Sequence, residues 1–246
     1  MGLSAPAEKQ ALLLDLVACD LSTARAHTAL SNLVATLHIG TLEAAVEEIK
    51  SRRHDVLIES EGMRAELARA ESDVQVVEAR IAKDTERLEH TSSVKDAQGL
   101  EHELESLRKR RADLEDIELA IMERLDATEA TMKGIEGELG TAEKALLEAR
   151  DNETTETARL TGEVMATGTT RDDIVASLPE DLYALYERQR ERYGVGASHL
   201  RAGITSASGV ALTESDLQTV RNASADAVVM CPDSNAILVR TAESGL

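Results

Sequence analysis

Between Thr41 and Leu88 apolar side chains recur at alternating spacings of four and three. The repeat runs through Leu42, Val46, Ile49, Arg53, Val56, Ser60, Met63, Leu67, Ala70, Val74, Val77, Ile81, Asp84 and Leu88, and eleven of these fourteen are apolar. A stripe kept up over about six heptads predicts a coiled-coil seam rather than a lone amphipathic helix. A second run follows through Leu100, Leu104, Leu107, Arg111, Leu114, Glu118, Ile121, Leu125, Thr128, Met132, Ile135, Leu139, Ala142, Leu146 and Ala149, with twelve of fifteen apolar. Between the runs lies His90-Thr91-Ser92-Ser93, and Ser93 with Asp96 is a pattern that restarts a helix. Two heptad runs of similar length around a short polar break predict an antiparallel hairpin with its turn near residues 90–93. Arms of about 50 residues at about 1.5 Å each give a rod of about 75 Å. Arg53, Ser60, Asp84, Arg111, Glu118 and Thr128 interrupt the seam, and polar residues at such positions fix register or partner choice.

A helix from about Ala7 to Leu37 precedes the hairpin, with Leu13, Leu16, Leu30 and Leu33 as its apolar face, Gly40 as C-cap and Thr41 as the next N-cap. It is expected to pack along the hairpin base. Gly134, Gly137 and Gly140 in the second arm mark either a close helix approach or bend, or a weakened section. The rod is expected to stop around Thr167–Thr170, where Thr170 and Asp173 cap a new helix through Tyr183 and Tyr186 to Tyr193. After the Gly194-Val195-Gly196-Ala197 hinge the pattern shortens. A strand near Val210–Leu212, a helix capped by Thr213 and ending near Ala223, and a hairpin of Val228–Met230 with Ala236–Val239 follow. The fold class is therefore mainly α: a long coiled-coil hairpin with an N-terminal helix (1–168), a connecting helix (169–194) and a small α+β head (195–246).

Composition sharpens this picture. The 246 residues include no Phe, no Trp and only three Tyr, at 183, 186 and 193, so a large globular core is not expected outside their neighbourhood. A formal charge of −19, from 46 Asp+Glu against 27 Lys+Arg, opposes non-specific binding to phosphate backbones or anionic membranes. Cys19 and Cys231 cannot build a disulfide framework. No run of 18 apolar residues is present. Leu16-Val17-Ala18-Cys19 has the look of a lipidation box, but Asp15 interrupts the preceding stretch and no basic segment precedes it, so an amphipathic helix is expected there. Pro6 likewise spoils a myristoylation pattern after Met1-Gly2. The chain is read as cytoplasmic.

Leu100-Glu101-His102-Glu103, Asp113-Leu114-Glu115-Asp116, Leu185-Tyr186-Glu187-Arg188, Gly194-Val195-Gly196-Ala197 and the ending Ile237-Leu238-Val239-Arg240-Thr241 with Glu243-Ser244-Gly245-Leu246 add a family likeness. Together they resemble the bacterial family that joins a coiled-coil hairpin to a C-terminal four-cysteine zinc ribbon. The resemblance implies two Cys-x-x-Cys knuckles, which fall here on Thr205 and Ser208, and on Cys231 and Ser234. One thiol of four remains, and neutral hydroxyls do not replace thiolates around zinc even with His199 nearby, so the metal is expected to be lost. Asn235 is expected to take the left-handed conformation usual for glycine after the second knuckle. Ile204, Val210, Leu212, Leu217, Val220, Val229, Ile237 and Val239 would hold the metal-free head together. Relatives of this kind look like regulatory or adaptor proteins, some linked to transcription or RNA.

Arg108-Lys109-Arg110-Arg111 is the one dense basic run, but Glu105, Asp113, Glu115 and Asp116 stand at pairing distance, so a self-compensated face is expected. His90 and His102 flank the hairpin tip and could face each other across the seam. No phosphate loop, Gly-x-Ser-x-Gly or His-Glu-x-x-His occurs, so no catalytic residue and no cofactor are assigned. The expected role is a non-enzymatic adaptor with protein partners. Nucleic-acid binding by the head is the alternative, against only Arg201, Arg221 and Arg240 facing five acids from Val195 onward. A homo-oligomer completing the seam is the third.

Overall fold

The computed structural model describes residues 2–246. Helices α1 (Ala7–Thr36), α2 (Ile39–His90), α3 (Val94–Ala176) and α4 (Glu180–Tyr193) precede a small head of β1 (Ala197–Arg201), β2 (Ile204–Thr205), α5 (Glu214–Asn222), β3 (Val229–Met230) and β4 (Ile237–Val239), closed by a 3-10 turn at Ala242–Ser244. The mainly α architecture is the one the heptads predict. The chain forms two compact units: His38–Arg150, and the N-terminal residues up to Leu37 together with Asp151–Leu246.

The first unit is the hairpin. All fifteen α3 repeat positions, and all α2 positions except Arg53, are at least partly withdrawn from water. Met63 and Ala70 pack with Ile121 and Leu125 around Leu67. Ion pairs between the helices run in opposite chain directions, through Glu43–Arg150, Arg52–Glu138, Arg64–Glu129, Glu78–Arg111 and Arg80–Glu103. This places the arms antiparallel. Such exposed pairs contribute little to stability individually, so their value lies in register. At the turn the Ser93 hydroxyl accepts the Asp96 N–H at 3.4 Å, capping α3. A Cβ on Gly134, Gly137 or Gly140 would meet nothing within 4 Å, so no helix approaches closely there. The hairpin starts at His38, not at Gly40–Thr41: His38 is left-handed (φ 53) and caps α2, while Gly40 lies inside the helix.

The second unit is built on the head sheet, ordered β2-β1-β4-β3, with β1 and β4 parallel and both outer pairs antiparallel. Side chains alternate across β4. Ile237 and Val239 join Leu13 and Leu16 of α1 with Leu182 and Tyr186 of α4, while Leu238 packs with Leu200, Leu212, Val220 and Cys231 under α5. Leu13 and Leu16 thus enter the head core rather than the hairpin base. The N-terminal segment makes an isolated antiparallel bridge ahead of β3, with Val228 N–H donating to Leu3 O at 3.0 Å and Ala5 N–H to Asp226 O at 2.8 Å. The buried Gln10 amide ties the two segments together by donating to Ala5 O and Asp226 O.

Two further expectations differ from the structure. α3 passes through Thr167–Thr170 unbroken because the Thr169 and Thr170 hydroxyls bond back to the carbonyls of Met165 and Ala166, which leaves no cap role for Thr170. It ends just ahead of Pro179, which starts α4. Residues 210–212 form only a single bridge, Ala211 with Ile204, and the main strand is instead β1.

Candidate functional site

The densest polar cluster sits where α1, the end of α3 and α4 meet beneath the head. Asp20 on α1 accepts the Tyr186 hydroxyl at 2.7 Å and Arg171 Nε at 2.8 Å. Arg171 also binds Glu187, and Arg190 donates to Glu187 at 2.7 Å while its Nε lies 3.5 Å from Asp20. Two carboxylates and two guanidiniums therefore balance. Tyr186 is 1% exposed. Burial, reinforced by the bond to Asp20, keeps its hydroxyl protonated far above the usual phenol range. Burial works against the Arg171 charge, but its bonds to Asp20 and Tyr183 outweigh this and hold it firmly protonated. Neighbouring Cys19 has its thiol pKa raised by burial and by Asp20 and Asp15, the opposite of an activated nucleophile. The shifts at Tyr186, Arg171 and Cys19 all hold the proton in place. None of these three is poised for proton transfer.

Beside this cluster lies a hollow of about 400 Å³ whose walls include Val17 and Leu21 of α1, Arg190 of α4, and Gly196. Gly196 is required there, because a Cβ would come within 2.5 Å of the Tyr186 ring. Nothing local in the sequence announces this site. Asp20 and Tyr186 are 166 residues apart, and only the confinement of the tyrosines to one segment hints at it.

The positions that the family resemblance assigns to metal form two turns of the same backbone design. Thr205 N–H donates to Val210 O and Gly209 N–H returns to Thr205 O; likewise Cys231 N–H donates to Ala236 O and Asn235 N–H returns to Cys231 O. Gly209 (φ 70) and Asn235 (φ 56) are both left-handed. In the first turn the Thr205 and Ser208 hydroxyls bond each other at 2.7 Å. Cys231 is buried in the α5 cluster, and the Ser234 hydroxyl accepts the Ala236 N–H at 3.4 Å. His199 is engaged through Nε2 with the Thr241 hydroxyl at 2.9 Å. Among the described residues no group of three or more His, Cys, Asp or Glu is arranged to hold a metal ion.

At the hairpin tip, His90 lines an open hollow of about 780 Å³ with Lys83, Arg87 and Lys95, and His102 is not part of it. The basic run is less compensated than the spacing predicts. Arg111 pairs with Glu115 at 3.2 Å and Glu78 at 3.9 Å, but among the described residues Arg108, Lys109 and Arg110 form no ion pair. Their neighbours of opposite sign lie along the helix without meeting them, since exposed side chains gain little by pairing in water. The three head cations are all committed. Arg201 pairs with Glu243, Arg221 with Glu214, and Arg240 donates to the carbonyls of Val220, Ala223, Ser224, Ala225 and Ala227.

A hairpin with a self-contained seam and a small, internally satisfied head define a coiled-coil hairpin protein with nothing that indicates catalysis. The chain belongs to the CT398-like coiled coil hairpin domain family, whose model matches residues 16–194. It is 29% identical over 242 residues to uncharacterized protein Rv2229c of Mycobacterium tuberculosis, covering 94% of this chain and 95% of that one. A solved structure from Mycobacterium smegmatis shares 28% identity and a TM-score of 0.81, with 97% of this chain and 100% of that chain covered. CT398 from Chlamydia trachomatis shares the fold at 17% identity and a TM-score of 0.61, over 94% and 97% of the two chains.

Proposed function

We propose that this chain is a non-enzymatic, cytoplasmic adaptor that works by binding other proteins through the outer faces of its hairpin and through its head. The carrying observation is a set of apolar side chains that the seam does not use: Ile58, Val76, Leu119 and Met122 are all at least half exposed on the hairpin unit. A helix pair complete in itself has no internal use for them, and Leu119 and Met122, three residues apart on α3, share one helix face open to a partner. One 18-residue window within Ala7–His90 reaches a mean hydropathy of 1.2. The helical path there is interrupted at Leu37–His38, which does not suit a membrane span.

The head is proposed to be a zinc ribbon that has shed its metal. The paired knuckle backbones support this ancestry, and the Thr205–Ser208 hydroxyl bond supplies locally what thiolate coordination would supply elsewhere. Elemental analysis of the purified protein tests it: less than a tenth of an equivalent of zinc is expected, and stoichiometric zinc refutes it. Nucleic-acid binding by the head has little support, since all three of its cations are spent on internal partners. A fluorescence-anisotropy titration with single-stranded RNA and duplex DNA at low salt is expected to show no saturable binding. A salt-dependent, submicromolar isotherm would instead favour the nucleic-acid alternative.

A further inference from the structure

The hollow beside Tyr186 continues into a second one of about 560 Å³ between α1 and α3, and Leu21 and Ala24 line both. The shared wall is a heptad stripe on α1. Val17, Leu21, Ala24 and Thr28 follow each other at spacings of four, three and four, and Leu33 and the buried Leu160 of α3 extend it. From Val17 to Thr36 this wall is about 28 Å long at about 1.5 Å per residue. Leu21 is 48% exposed. An a/d stripe of this length, open to solvent between two ridges, is shaped to take one more helix.

The charges along it choose the occupant. Asp20 and Glu156 are both already bound, to Arg171 and Tyr186 and to Arg159 respectively. Arg25 has no ion-pair partner among the described residues, and Arg190 uses Nε and Nη2 on Glu187 while Nη1 carries no bond. Arg159, the remaining cation of the strip, is taken up by Glu156 and Glu163, so Arg25 and the free Nη1 of Arg190 are the charged groups left for a partner. We propose that the α1 groove receives an amphipathic helix of a partner protein, with aliphatic residues on Val17, Leu21 and Ala24 and carboxylates flanking them toward Arg25 and Arg190. This rests on the adaptor reading and names the surface and the partner's chemistry.

Helical 20-residue peptides selected by display against the full chain test it without needing the native partner. Expected binders carry aliphatic residues at helical spacing with Glu or Asp beside them. Their affinity by anisotropy falls at least tenfold for Ala24→Arg, and Arg25→Glu shifts preference toward Lys-flanked versions of the same peptides. Both positions are exposed on a helix, and unchanged circular dichroism melts show that the variants fold. Selected peptides with basic flanks, or affinities unmoved by Ala24→Arg, overturn the proposal, as does the absence of any binder. A concentration-dependent dimer in sedimentation that Ala24→Arg abolishes would assign the groove to a second copy instead and also overturn it. If native protein cross-links persist while the peptide result is negative, the groove alone fails and the adaptor reading stands.

Discussion

Gly196→Ala is the sharpest test of how the head unit is held. A methyl there would sit 2.5 Å from two Tyr186 ring carbons and 2.8 Å from a third. Carbon atoms prefer separations of about 3.5–4.0 Å, so the ring must retreat by about 1 Å. It has nowhere to go, since Leu13, Leu16 and Leu182 pack against it and its hydroxyl is anchored on Asp20 at 2.7 Å. Overpacking of this kind costs about 1–3 kcal/mol. Loss of a hydrogen bond to a charged group adds about 1.5–3 kcal/mol. The expected destabilisation is therefore about 3–5 kcal/mol, or about 6–20 °C in Tm for a protein of this size. Near-ultraviolet circular dichroism isolates the effect, because all three tyrosines lie between residues 183 and 193 and no Trp or Phe contributes. In a Tyr186→Leu background the same glycine change should cost less than half as much, since the clash is removed. A Gly196→Ala penalty below about 1 kcal/mol, or equal penalties in both backgrounds, would refute the packing argument.

Four further outcomes follow from the same contacts. Tyr186 has its folded pKa raised, so the unfolded phenol, ionising near pH 10, loses its proton first. Stability is then full below about pH 10 and falls as pH rises toward the folded value, by up to about 1.4 kcal/mol per pH unit; Tyr186→Phe should remove that part of the slope in urea titrations at pH 8 to 11. Arg240→Ala strips the carbonyls after α5 of their donor and should cost about 2–4 kcal/mol in head stability, with Arg240→Lys intermediate by urea unfolding. Asp84 is fully buried between Arg80 and Arg87, with its Oδ2 2.7 Å from Arg80 Nε but out of line for a hydrogen bond. Both arginines stay in contact with water, so Asp84→Leu should raise hairpin stability by about 1–2 kcal/mol in urea melts followed at 222 nm, and a loss of that size would make Asp84 a structural anchor. Gly137→Ala should stabilise by up to about 1 kcal/mol, since open space receives the methyl; destabilisation in the same urea melts would reveal a neighbour there.

The hairpin was legible because a coiled-coil seam is written in local periodicity, and α2 and α3 withdraw from water the positions the spacing selects, Ser60 and Asp84 included and Arg53 excepted. The head's second hairpin and the Thr213 cap were legible for the same local reason, with Thr213 accepting the Asp216 N–H at 3.2 Å. What escaped is non-local. β1 carries Ser198, His199 and Arg201, a poor strand signature, and forms because it lies parallel to the apolar β4. The pairing of Leu3–Ala5 with residues 226–228 and the Asp20–Arg171–Tyr186 cluster join chain segments more than 150 residues apart. The α3 continuation past Thr170 escaped because the same hydroxyls serve equally as caps or as back-bonded helix residues, and local sequence does not choose between them.

Site-specific photo-cross-linking in living cells tests the central claim most directly. A diazirine amino acid placed at Leu119 or Ile58, on the outward face, is expected to yield discrete adducts with the same one or few proteins. The same probe at the buried seam position Leu114 should give only links within the chain. Nucleic-acid adducts, or no protein adduct from either outward position, would contradict a protein-binding role for the hairpin.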